Sequence, residues 1–333
     1  TSSFTSTGSN NNITLSTDSN DLRGVVSAST VGSSGDITID NGTRALILGT
    51  VTANGALSIR GGNGITDNGV ITVTGTSLFH SDVTAKAITL DSNNAMAGAV
   101  SITHTGAADV AIDNHTTALI LGTVTTGRNF EARSGNGITD TGVITVAGTG
   151  TFISDVDDKD IVLNSDHAIT GPLTFTTQGA SNLSDITFDN GSTAISLAAF
   201  TTEGDLTLKT DAAIALSGHT VNGDLSVTSA GAISQSATLT VTGTSSFTST
   251  DSNNNIDLGT NGARALILGT VTANGALTVI AGDSITDSGV ITVGGTASFT
   301  TDTSDKLITL NSQNAITGQV TFDTTRHWGR CFL

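Results

Sequence analysis

Residues 41–57 read NGTRALILGTVTANGAL, and residues 261–277 read NGARALILGTVTANGAL, with a single change in 17 positions. A diverged copy, TALILGTVTTG, starts at Thr117. Duplication this close marks a repeat array, in which each unit buries its apolar face by stacking on the next. Three further blocks follow in constant order. GITDNGVITV at Gly64 returns as GITDTGVITV at Gly137 and SITDSGVITV at Ser284. G-T-x-x-F occupies residues 75–79, 148–152, 243–247 and 295–299. AMAGAVSIT at Ala95 returns as AITGPLTFT at Ala168 and AITGQVTF at Ala315. The long period is about 73 residues.

A finer period lies inside it. Gly55, Gly75 and Gly98 each precede a short apolar-alternating run, at spacings of 20 and 23. EGDLTLKTDAAIAL at Glu203 is followed 19 residues later by NGDLSVTSAGAIS at Asn222. One coil is therefore roughly 19–23 residues. The opening TSSFTSTGSNNNI returns as TSSFTSTDSNNNI at Thr244, 243 residues on, but the ALILGTVT blocks behind them are only 220 apart. The missing 23 residues are one coil, around GVVSAST at Gly24. A whole coil can be lost harmlessly only where each unit touches just its neighbours.

Each coil reads as strands. ITV, LTL, SIT and VTF alternate β-branched or apolar residues with Thr or Ser at a period of two, and no helical spacing persists. Gly, Asn and Asp clusters such as GGNG at Gly61 and DSNN at Asp91 turn the chain between them. The expectation is an all-β, right-handed parallel β-helix of about 15–16 coils. The array covers residues 1–323, and TTRHWGRCFL from Thr324 abandons the pattern as a tail. Phe79, Phe152, Phe247 and Phe299 are expected to point inward as a structural core ladder. Asn93, Asn94 and Asn253 to Asn255 are expected at corners where amides bond along the stack. Because Thr1 already lies inside a repeat, the sequence predicts continuation in a longer chain or end-to-end self-association through open coil edges.

Composition agrees with thin layers rather than one thick core. Hydrophobic residues are 36%, with 39 Gly, 11 Phe, one Trp, no Tyr and one Pro among 333 residues. Acidic residues outnumber basic ones 29 to 12, for a net charge of −17. No basic stripe is available for nucleic acid, and no apolar run reaches the ~20 residues of a membrane span. The single Cys331 forms no internal disulfide.

The run GDLSVTSAGAISQSATLTVTGTSSFTSTDSNNNIDL at residues 223–258, with NAITGQVTF and ALILGTVT, resembles the repeat regions of bacterial filamentous-haemagglutinin-like exoproteins. That family comprises large surface or secreted adhesins of the two-partner secretion type. The resemblance implies an extracellular or cell-surface location, and such repeats mainly form a shaft.

Chemistry-bearing clusters are few. Asp155, Asp157, Asp158 and Asp160 form the densest carboxylate group and are the candidates for Ca²⁺, against the plainer reading of a solvated corner loop. GGNGITDNG at Gly61 faintly resembles a Ca²⁺-binding nonapeptide but is not tandem. His80, His104, His115, His167, His219 and His327 share no metal-ligand spacing, and surface positions are expected for them. Asn12, Asn41, Asn114, Asn182 and Asn190 begin N-x-S/T triplets, which chance explains in so Ser/Thr-rich a chain. No catalytic residue, cofactor site or metal centre is predicted.

The leading expectation is a non-enzymatic structural shaft of a surface adhesin or extracellular filament. A second is a binding module whose Thr-rich faces meet a glycan, a host or cell surface, or ice, suggested by ITVTGT at Ile71 and LTVTGT at Leu239. A third is a carbohydrate-active β-helix enzyme, which requires carboxylates converging in a groove.

Overall fold

The computed structural model describes residues 1–82, 86–179, 183–259, 265–324 and 331–332. Parallel strands stack as a β-solenoid of about 16 turns, and no helix occurs among the described residues. Residues in register lie 19 to 24 positions apart, from Leu206 on Leu225 to Ser2 on Val26. The coil reading therefore holds, with some coils a residue longer than expected. Two compact units are distinguished, Thr1–Gly171 and Pro172–Leu333.

In the first unit three strands make a turn. Leu57–Arg60 continues coil by coil into Ser77–Ser81 and Val100–His104. Ile65–Asp67 continues into Ile88–Leu90, Val110–Asp113, Phe130–Ser134 and Gly150–Asp157. Ile71–Val73 continues only into Ala95–Met96. The alternation follows from the pleat: in Leu57–Arg60, Leu57 and Ile59 point into the core, and Ser58 and Arg60 point out. The interior is mainly aliphatic, and each inward Ile, Leu or Val contributes about 1.5–3 kcal/mol by leaving water.

The second unit repeats the plan. Leu206–Thr210, Leu225–Ser229 and Ser245–Ser249 stack in register. Ile195–Ser196, Ile214–Leu216, Ile233–Gln235 and Ile256–Leu258 form a second side, and Thr201–Thr202, Thr220–Val221 and Thr240–Val241 a third. Near the chain end, the backbone of Cys331–Phe332 pairs in parallel with Ile308–Thr309, while residues 325–330 and 333 lie outside the described residues.

The extra coil inferred from the 23-residue gap is visible as strands. Ser2–Ser9 pairs with Val25–Val31, which in turn carries Leu46–Ala53. Its near-identical counterpart Ser245–Ser249 carries Leu266–Ala273 directly.

Candidate functional site

The most constant local construction is a corner built by Asp-Asn-Gly/His. It occurs at residues 40–42, 113–115 and 189–191. Each Asp accepts the N–H two residues on: Asp40 Oδ1 from Gly42 at 2.7 Å, Asp113 Oδ1 from His115 at 2.7 Å, Asp189 Oδ1 from Gly191 at 2.9 Å. That side-chain turn sets the third residue at positive φ (57°, 48° and 51°), which suits Gly and which His115 also adopts. Asn41, Asn114 and Asn190, between them, are wholly buried. Their amides donate to Ala45, Ala118 and Ala194 carbonyls at 2.7, 2.8 and 3.2 Å.

The amides of Asn41 and Asn114 also reach back one coil. Asn41 Oδ1 accepts the Leu22 N–H at 2.8 Å and Nδ2 donates to Leu22 O at 3.1 Å. Asn114 makes the same pair with Met96, at 2.8 and 3.0 Å. At Asn114 the amide thus terminates the strand Ala95–Met96, which has no successor among the described residues. A buried backbone N–H and C=O left unpaired would cost about 1–3 kcal/mol each.

The lost strand is replaced in the same coil. Leu119–Thr126 lies on Val100–His104, with Val100 opposite Leu121 and Ile102 opposite Val124, so Gly122 and Thr123 both face Ser101. This is a bulge, and it divides the strand. Residues 119–121 are followed by Ile138–Asp140 and residues 124–126 by Ile144–Val146. Leu46–Ala53 on Val25–Val31 and Leu266–Ala273 on Ser245–Ser249 divide identically. A Cβ on Gly49, Gly122 or Gly269 would collide with the Oγ of Ser27, Ser101 or Ser246. Leu46–Ala53 and Leu119–Thr126 begin 73 residues apart, so the long period is the distance between these two divided strands.

This exchange places the phenylalanines. Phe79, Phe152, Phe247 and Phe299 are all fully buried. They do not form one ladder. Phe79 stands between Ile59 and Ile102, Phe152 pairs with Ala132, Phe247 lies between Val227 and Val271, and Phe299 lies between Val279 and Phe322. Within the first unit, Phe79 and Phe152 belong to different sides, because the exchange at Leu119–Thr126 separates them.

Charges gather beside the corners. Arg60, one coil after Asp40, bonds it at 3.1 Å and Asp82 at 2.6 Å, and these bonds hold its pKa above the usual arginine value. Lys209 meets Asp189 at 2.6 Å. Arg133 reaches Asp155 at 2.5 Å and Asp113 at 3.9 Å. A shallow cavity of about 480 Å³ opens here, lined by Asp113, His115, Arg133 and Asp155. Its two carboxylates are bridged by the guanidinium. The Ca²⁺ candidates do not gather: Asp155 is held by Arg133, and Asp157 Oδ1 accepts the Asp158 N–H at 3.0 Å. Among the described residues no three His, Cys, Asp or Glu side chains are placed to hold a metal.

The histidine expectation fails in part. His104, His167 and His219 are buried. His167 Nδ1 accepts the Ile144 N–H at 3.0 Å, where Asn94 and Asn314 accept from Ile71 and Ile291 at 2.9 and 2.8 Å. His327 lies outside the described residues. The corner expectation for Asn94 is met, since its Nδ2 also donates to Asp67 at 2.7 Å. Of the N-x-S/T triplets, those at Asn41, Asn114 and Asn190 are structural amides, and Asn182 lies outside the described residues. The repeated D-N-[GH]-[ST] block before ALIL, or before AISL at Ala194, was the available signal for these corners.

Outward positions carry Thr and Ser columns. Thr103, Thr125 and Thr145 are successive rungs, continuing a row that begins Asp40, Arg60, His80. The neighbouring row runs Thr14, Thr38, Ser58, Leu78 and Ser101, and Leu78 is exposed.

Stacked parallel coils with recurring corners and exchanges define a β-solenoid repeat protein. A family model described as repeats of unknown function (DUF5649) matches residues 34–103, 107–176, 203–264 and 257–323, and the chain belongs to that family. The first two matched segments each contain one Asn corner and one divided strand. No curated protein and no solved structure matches the chain.

Proposed function

We propose that the chain is a structural shaft segment of a secreted or cell-surface bacterial protein of the filamentous-haemagglutinin-like kind, and that it does no catalysis. The observation that carries this reading is the exchange at each long repeat. Coil-to-coil pairing is kept in register while the sides are reassigned, so conserved geometry serves continuity of the stack. The bridging of Asp113 and Asp155 by Arg133 supports the non-catalytic reading. The resemblance of the repeat blocks to adhesin shafts supports the location.

Two measurements test it. X-ray diffraction from oriented samples of the whole chain should give a coil repeat of about 4.8 Å. Antibody labelling of intact cells should detect the protein at the surface. The absence of that repeat, or a protein confined to the cytosol, would sink the proposal.

The second reading, a Thr-faced module for glycan or ice, draws on the Thr103, Thr125 and Thr145 column. Charged residues and Leu78 interrupt the rows that such a flat face requires. Glycan-array and thermal-hysteresis measurements should therefore be blank, and a signal in either would favour this second reading.

A further inference from the structure

The interior of the second unit holds a titratable ring in a structural role. His219 is 1% exposed. Its ring lies 4.7 Å from that of Phe200 in the preceding coil, and its carbonyl accepts the Thr240 N–H of the following coil at 2.8 Å. Nε2 stands 3.1 Å from both the Ser217 N–H and Ser217 Oγ. A ring nitrogen that accepts a backbone N–H carries no proton, so the neutral tautomer bears its hydrogen on Nδ1. Nδ1 has no hydrogen-bond partner among the described residues.

Protonation of Nε2 would set an N–H against the Ser217 N–H. That amide cannot become an acceptor, so its hydrogen bond is lost; Ser217 Oγ, which donates to the Leu197 carbonyl at 2.8 Å, can accept the new proton only by the ring leaving the amide. Residues 198–203, 217–222 and 236–243 flank the ring, and Glu203 is their only other titratable side chain. Its carboxylate is engaged by Asn222 Nδ2 at 2.9 Å. His167, by contrast, has the buried Asp140 carboxylate 3.9 Å from its Nε2.

We propose that His219 is an acid-release latch, whose protonation frees the turn at Ser217 and loosens the coils on either side. Burial pushes its pKa down from 6.5 to about 4. A depressed histidine pKa means the unfolded chain takes up the proton first. The latch therefore holds fully above about pH 6.5 and is lost as pH falls toward 4. Over that window the opening equilibrium rises by up to about 300-fold, since each pH unit between the two pKa values is tenfold.

Amide hydrogen exchange on the whole chain, corrected for intrinsic rates, tests this at pH 7 and pH 4.5. Protection at residues 195–202, 214–221 and 233–241 should fall about 100-fold on acidification in the native chain. In His219→Gln the same segments should show no such step. Equal acid sensitivity in both proteins, or none in the native chain, overturns the proposal. Should the variant not fold, imidazole nitrogen resonances of the native protein decide the matter. The expected result is an Nδ1–H tautomer that stays neutral to below pH 5, and a His219 titrating near 6.5 overturns the latch.

Discussion

The side chain of Asn114 takes the place of a strand beside Met96. Its Oδ1 accepts the Met96 N–H at 2.8 Å and its Nδ2 donates to the Met96 carbonyl at 3.0 Å. Ala95–Met96 is the last rung of its side, and without the amide its backbone would be buried unpaired. One residue thus lets the stack end a side without exposing an edge.

Asn114→Ala should cost about 3 kcal/mol, because two buried backbone groups of Met96 and the half-buried Ala118 carbonyl lose their partner. Urea unfolding would show the loss, and hydrogen exchange would place it at residues 95–96. Thr145→Ala on the surface should stay within about 0.5 kcal/mol. Equal effects for the two changes would remove the special role given to the amide.

Deleting residues 14–37 should leave a folded chain. Ile13 and Ile37 are in register, so the splice joins Ile13 to Thr38 and removes one complete turn. Ser2–Ser9 would then meet Leu46–Ala53 as Ser245–Ser249 meets Leu266–Ala273. Deleting residues 14–25 removes half a turn and should break the pairing. Circular dichroism and proteolysis distinguish the two, and equal tolerance would contradict the stacked-coil register.

Gly122→Ala should cost about 1–3 kcal/mol through overpacking against Ser101 Oγ. Ser101→Ala in the same chain should restore most of it. A double-mutant cycle with no coupling would show that the bulge tolerates a side chain there.

Phe79→Ala should cost about 3–5 kcal/mol, because it opens a cavity between Ile59 and Ile102. The loss should be concentrated in Leu57–Arg60, Ser77–Ser81 and Val100–His104, since repeat units depend on their neighbours. Hydrogen exchange spread evenly along the chain would contradict that locality.

Asp155→Ala should change stability by less than about 1 kcal/mol, as its partner Arg133 is half-exposed and keeps Asp113. Millimolar Ca²⁺ should leave the melting temperature unchanged. A clear rise, lost in the variant, would restore the candidacy of this carboxylate group.

The coil, its length and its strand content were legible in the sequence, because one residue in two must face the core and every turn repeats that demand. The extra turn at Val25–Val31 was legible for the same reason. The roles of Asn41, Asn114 and His219 were not. Polar residues are read as exposed by default, and burial with a backbone partner one coil away involves residues 18 to 21 positions distant or a folded turn.

The sequence by itself determined that near-identical blocks stack, since local alternation and repetition leave no other way to bury their apolar faces. Only the tertiary structure decided which blocks stand above which. The sides are reassigned wherever a bulge such as Gly122–Thr123 splits one strand and an amide such as Asn114 ends another. That choice depends on hydrogen bonds between coils, so Phe79 and Phe152, equivalent in the repeat, stand on different sides of the first unit.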